Sequence, residues 1–307
     1  MTLPIDSFLE DSQISEILIN GTKDIWVERA GQLSKAEERF SDERELENFV
    51  RNTLLRCGRK IDRRSPFADA RLANGSRFCA VMDPAVHDGY HVSIRKFNAR
   101  LNSLASMRES GFLSSKAEAL LQKIVEERKN ILVSGATGTG KTTLLNTLVS
   151  ASSAEQRILI LEDTFEMQPV HPHVVRMEAR PANNEGEGEI TLRQLLRSSL
   201  RMRPDRLILG ECRGAEVAEL LQALNTGHQG SMATIHANSA RDALHRLELL
   251  FLLHVQGVQS QTARQFISAS IQYIVHLERH NGSRKLQGIY ELTGCDEGVF
   301  LLRKYEI

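Results

Sequence analysis

The sequence predicts an α/β protein of two domains, and three observations carry that prediction. From about residue 113, short apolar runs alternate with helical stretches, which implies a mostly parallel sheet covered by helices. Over residues 1–97 the apolar runs are separated by tight-turn residues, as in a small mixed α+β domain. Between these regions, residues 98–112 include Asn98, Asn102, Ser103, Ser106 and Gly111, show no strong period and read as a linker. The 307 residues are 41% hydrophobic and 25% charged, so the chain can bury a substantial core.

Taken in order, Ile17–Ile19 and Ile25–Val27 read as strands joined by the Asn20-Gly21 turn. Leu46, Phe49, Val50, Thr53, Leu54 and Cys57 recur at helical spacing, with Asp42 and Glu45 as a capping box before them. Arg77–Met82 and His91–Phe97 are further strands, the first preceded by the turn Ala73-Asn74-Gly75. In the second domain the strands are Asn130–Ser134, Arg157–Leu161, Arg206–Leu209 and Met232–Ile235. Helices are expected over Thr191–Met202, Ala215–Asn225 and Ala240–Leu253, the last capped by Ser239 with Asp242. Asn281-Gly282, between Val275–Leu277 and Leu286–Leu292, predicts a β-hairpin.

Gly135-Ala136-Thr137-Gly138-Thr139-Gly140-Lys141-Thr142 fits the phosphate-loop pattern G-x-x-x-x-G-K-[ST]. Glycines let the backbone curl so that successive N–H groups face phosphate oxygens. Lys141 supplies a point charge, the Thr142 hydroxyl suits Mg²⁺, and the helix running on through Thr143 adds its N-terminal dipole. The apolar run Ile131-Leu132-Val133 before the loop and the helix after it supply the required context.

Ligands of a parallel sheet sit at the carboxyl ends of its strands. Glu162 and Asp163 follow Arg157–Leu161, Gly210 and Glu211 follow Arg206–Leu209, and His236 follows Met232–Ile235. Nucleotide hydrolysis uses one carboxylate for the metal and another to orient or deprotonate water. A histidine there could sense the terminal phosphate. The residues alone leave open which of Glu162 and Glu211 is the base.

Other functions fit less well. Lys plus Arg and Asp plus Glu are equal at 39 each, so the basic excess of a non-specific DNA binder is absent. That weighs against a RecA-like DNA-handling ATPase, which DNA-stimulated turnover would revive. The intact set Lys141, Thr142, Glu162, Glu211 and His236 weighs against a nucleotide-binding regulatory subunit with little turnover. Cys57, Cys79, Cys212 and Cys295 lack metal-ligand spacing and are expected as free thiols. The first residues do not read as a signal peptide, and the best apolar run, Leu249–Leu253, is too short to span a membrane.

These motifs resemble those of the type II/type IV secretion ATPases. Glu162-Asp163-Thr164-Phe165-Glu166 is similar to the family's Asp box, and Leu207-Ile208-Leu209-Gly210-Glu211-Cys212-Arg213-Gly214 to its Walker B box. The run Thr226 to Ser239, with His228 and His236, resembles its His box. Arg201-Met202-Arg203-Pro204-Asp205-Arg206 and Gly186 to Thr191 look most like the Tad-pilus branch. The resemblance implies a PAS-like first domain, a RecA-like P-loop NTPase second domain and a homo-hexameric ring. It also implies an ATPase with ATP and Mg²⁺ as ligands, and Thr142 and Glu211 serving the metal. It makes Glu162 the water-activating base, Glu211 the Walker B acid, and Arg77 and Arg95 the arginines that reach a γ-phosphate. The implied partner is an inner-membrane platform protein, with the motor cytoplasmic and peripheral at that membrane and no direct nucleic-acid binding. The absence of a tetracysteine zinc element argues against the type II branch.

Overall fold

A computed structural model describes residues 3–11, 13–29, 31–96, 103–182, 187–280 and 283–307. The chain divides into two compact units, Met1–Ala99 and Arg100–Ile307.

The first unit runs α1 (Asp6–Glu10), β1 (Ile14–Asn20), β2 (Asp24–Arg29), β3 (Gln32–Lys35), α2 (Glu43–Arg56), β4 (Phe67–Arg71), β5 (Arg77–Met82) and β6 (Tyr90–Arg95). The strands form one antiparallel sheet in the order β3-β2-β1-β6-β5-β4. Alternate residues, such as Ile17, Ile19, Phe78, Ala80, Val92 and Ile94, join Leu46, Val50 and Leu54 of α2 in the core. Asp42 caps α2 by accepting from Glu45 N at 2.8 Å. Glu45 reaches back to Ser41 N rather than to the cap residue itself.

The second unit runs α3 (Leu104–Glu109), α4 (Ser115–Glu126), β7 (Ile131–Gly135), α5 (Lys141–Ser150), β8 (Ile158–Glu162), β9 (Val174–Glu178), α6 (Leu192–Ser199) and β10 (Arg206–Leu209). It continues with α7 (Glu216–Asn225), β11 (Met232–His236), α8 (Ala240–His254), α9 (Ser260–Ser270), β12 (Tyr273–His280), β13 (Ser283–Asp296) and β14 (Val299–Lys304). The sheet order is β14-β13-β12-β7-β11-β10-β8-β9. Strands β12 to β9 in that order are mutually parallel, and β13 and β14 complete one side antiparallel. Ile131, Val133, Ile158, Ile160 and Ile208 pack with α3, α4 and α5. Leu132, Leu159, Leu161, Leu207 and Leu209 pack with α6 to α9. Burial on both faces is why these strands read as continuous apolar runs rather than alternating ones.

Part of the expected linker folds differently. Residues 98–102 lie outside the described residues, but Ser103 caps α3 with a reciprocal capping box to Ser106. Leu104 and Met107, one helical turn apart, are buried with Phe112 and Leu113 in the core of the second unit. Two buried apolar residues in a six-residue helix are too few to stand out as a period. The Asn281-Gly282 turn also lies outside the described residues; its flanking strands β12 and β13 pair antiparallel down to His280 opposite Ser283.

Candidate active site

Strand β7 delivers the phosphate loop to the carboxyl edge of the sheet. Gly135 pairs with His236 on one side and Leu277 on the other. Its φ is +155°, and a Cβ there would lie 2.6 Å from Leu277 O and 2.7 Å from Thr139 Oγ1, so only glycine fits. Gly140, at φ +97°, turns the chain into α5. The Thr139 hydroxyl closes the loop by donating to Ala136 O at 2.9 Å.

Lys141 opens α5 and is 8% exposed. Its Nζ donates to Gly135 O and Ala136 O at 2.9 Å each, and lies 3.3 Å from His236 Nδ1. An ammonium only donates, so Nδ1 accepts and the His236 proton sits on Nε2. That nitrogen faces Glu211 Oε1 at 3.1 Å. Burial, then the Lys141 charge, hold the His236 pKa below its ordinary value, which favours this neutral tautomer. Burial by itself would raise Glu211, but the Arg213 hydrogen bond and charge, with His236 and Lys141, outweigh it and lower the pKa. The carboxyl ends of β7, β11 and β10 thus bring Lys141, His236 and Glu211 into one hydrogen-bonded chain.

Glu162, the expected water-activating base, turns one carboxylate oxygen into its own loop. It is 3% exposed. Its Oε1 accepts from Glu166 N at 2.7 Å and Met167 N at 2.9 Å, while Oε2 faces Arg176 Nη2 at 3.7 Å. Burial pushes its pKa up to about 7 despite these contacts. Glu178, its partner in the β8–β9 ladder, holds the same loop by accepting from Phe165 N at 2.9 Å. Oε1 is committed to its own loop, whereas Oε2 is buried without a hydrogen-bond partner.

That loop presents Glu166, to which the sequence reading assigns no role. Glu166 Oε2 accepts from the Thr142 hydroxyl at 3.3 Å. The available signal was a second carboxylate four residues beyond Glu162 in the same strand-exit segment. Thr142, Glu166 and Glu211 supply hard oxygen donors of the kind Mg²⁺ takes, so the residues fit that ion. Among the described residues there is no His, Cys, Asp and Glu cluster of the size that would hold a metal without a ligand's help.

The remaining expected residues are His228, Arg77 and Arg95. His228 does not pair with His236: it precedes β11, whereas His236 ends it. The strand between them spans roughly 13 Å. His228 Nδ1 lies 3.1 Å from Ala223 O, at the amino edge of the sheet. Arg77 and Arg95 belong to the first unit, where they are exposed and directly opposite each other on β5 and β6.

Known proteins resemble this arrangement along most of the chain. Residues 2–299 match the family described as type II/IV secretion system protein. A putative conjugal transfer protein of Mycobacterium tuberculosis is 37% identical over 287 residues, covering 92% of this chain and 81% of that protein. The crystal structure of the VirB11 ATPase from the Brucella suis type IV secretion system, in complex with sulphate, is 27% identical. It has a TM-score of 0.51, with 94% of this chain and 92% of that one covered. The pilus retraction motor PilT with bound ADP has a TM-score of 0.68 at 21% identity, with 99% and 82% covered, and shares the fold, which is RecA-like in these ATPases. The match of the family over nearly the whole chain, on a P-loop α/β sheet with its acidic strand ends in place, establishes that this chain belongs to the type II/IV secretion system protein family.

Proposed function

We propose that the chain is an ATP-hydrolysing motor subunit of a secretion, pilus or conjugation machine. The observation that carries this is the convergence of Lys141, Thr142, Glu166, Glu211 and His236 on the carboxyl edge of one parallel sheet. The phosphates of ATP are held by the N–H groups of Gly135 to Thr143 and by Lys141, on the N-terminus of α5. Thr142 and Glu211 hold Mg²⁺, which when bound neutralises charge on the phosphates. Glu166 faces this site from its Thr142 contact and is the better-placed carboxylate to accept a proton from water; Glu162 sets the loop that presents it. His236, neutral between Lys141 and Glu211, reports whether Lys141 is engaged by phosphate.

The remaining features are part of the same reading. Arg77 and Arg95 complete the γ-phosphate site in a homo-hexamer. The motor is cytoplasmic and acts on an inner-membrane platform protein, without direct nucleic-acid binding. Among the described residues no helix is long and apolar enough to cross a membrane, and the balanced charge supports a protein partner over DNA. Arg201 to Arg206 support the Tad-pilus branch within the family.

Mg²⁺-dependent ATP hydrolysis and solution mass test this together, for the wild type, Lys141→Ala and Glu166→Gln. The expected outcome is turnover in a species of about six subunits, abolished by Lys141→Ala and reduced at least 10²-fold by Glu166→Gln with nucleotide still bound. Wild-type turnover by Lys141→Ala would overturn the assignment of the site.

A further inference from the structure

Arg213 lies in the turn between β10 and α7, two residues beyond Glu211. Its backbone is fixed by Glu216, which is 5% exposed in the first turn of α7. Glu216 Oε1 accepts from Arg213 N and from Gly214 N, both at 2.7 Å. From this anchored backbone the side chain reaches back over the sheet edge. Nη2 donates to Glu211 Oε2 at 2.6 Å, and Nη1 lies 3.5 Å from Asp163 Oδ2. Glu211 follows β10 and Asp163 follows β8, and these strands are neighbours in the sheet. One guanidinium therefore spans the ends of two adjacent strands.

The geometry suits an arginine. Its planar fork carries several donors in fixed directions, and charge-assisted bonds to carboxylates are the strong ones. Glu211 is held once on each oxygen, by His236 on Oε1 and by Arg213 on Oε2. Two contacts on opposite oxygens fix the carboxylate plane as well as its position. His236 alone would leave the group free to pivot about Oε1.

We infer that Arg213 is a positioning residue for the metal-binding carboxylate. It sets the orientation in which Glu211 meets Mg²⁺ and ties that orientation, through Asp163, to the segment that runs from Glu162 at the end of β8 to Glu166. This rests on the reading of Glu211 as a metal-binding group, and it requires no contact between Arg213 and nucleotide.

The test uses the full chain with Arg213→Ala, Arg213→Lys and Glu211→Gln. Fluorescent ADP binding in EDTA reports the phosphate loop, and Mn²⁺ titration in the presence of ADP, followed by electron paramagnetic resonance, reports the metal. For Arg213→Ala, metal-free ADP affinity stays within about twofold, while Mn²⁺ affinity falls about tenfold, as when the support of a metal ligand is removed. Arg213→Lys recovers part of the loss, because it keeps the charge but not the fork. Unchanged Mn²⁺ affinity in Arg213→Ala overturns the inference, and so does an equal loss of metal-free ADP binding, which marks a merely structural role. If the wild type binds ADP but Glu211→Gln leaves Mn²⁺ affinity unchanged, the metal role of Glu211 fails, and this inference with it.

Discussion

At the amino edge of the parallel strands, Arg206 is 1% exposed and each of its three nitrogens is engaged. They donate to Gln156 Oε1 at 2.6 Å, Gly230 O at 2.9 Å and Val125 O at 2.7 Å. Asn130 beside it accepts from Gly230 N and Ser231 N and donates to Ser270 O. At the carboxyl edge a chain of polar groups also meets side chain to side chain: Lys141 with His236, His236 with Glu211, Glu211 with Arg213, Thr142 with Glu166. Most amino-edge bonds end on backbone atoms, which cannot move without unfolding the edge. Carboxyl-edge bonds join side chains that can rotate and exchange partners. Polar side chains thus close one end of the sheet and leave the other able to take a ligand.

The largest expected effect separates the edges outright. Arg206→Met removes three hydrogen bonds from a charged donor, two of them buried and each worth about 1.5–3 kcal/mol, so denaturant unfolding should show a loss of about 3 kcal/mol or more. ADP affinity of the protein that remains folded should not change. A stable variant would show that the amino edge is not held by this side chain.

Glu162 is the carboxyl-edge group that behaves most like the amino edge, and pH exposes it. Its folded pKa is raised from 4.5 to about 7. Below 4.5 it is protonated in both states; between 4.5 and about 7 the folded state holds the extra proton. Its contribution to stability is therefore fully present at low pH and is lost as pH rises through about 7. The shift corresponds to a loss of roughly 3 kcal/mol at most. Unfolding measured from pH 4.5 to 7.5 should show Glu162→Gln losing less stability with rising pH than the wild type. Parallel pH profiles would contradict the buried, loop-directed placement.

His228 should give the smallest effect. It contributes one hydrogen bond, to Ala223 O, at a half-buried position. His228→Ala should cost about 0.5–1 kcal/mol and leave ADP affinity unchanged. Weaker ADP binding in the isolated chain would mean that the two edges are coupled.

The strands flanking the phosphate loop were legible because burial on both faces makes them short, purely apolar runs. Ile158 to Leu161 and Leu207 to Leu209 stand out for that reason. The elements that were not legible, β9, β3 and α3, bury little. All five residues of β9 are only half-buried, β3 is exposed throughout, and α3 buries two residues in six. The box around Glu162 was readable, but the division of labour within it was not. Which of Glu162 and Glu166 turns inward depends on the Glu166 and Met167 N–H groups and on Arg176, a residue of the next strand.

The sequence by itself determined the phosphate loop, the run of strands that carries it and the acidic or histidine residue at the end of each strand. These follow from local rules: glycine's tolerance of positive φ, the apolar run of a buried strand, and the edge on which parallel strands end. Only the tertiary structure decided which groups meet. It set His236 between Lys141 and Glu211, turned Glu162 into its loop, brought Glu166 to Thr142, and put His228 on the far edge. Such pairings depend on strand order and register, which join residues up to 95 positions apart, as for Lys141 and His236. Spacing along the chain carries no record of them.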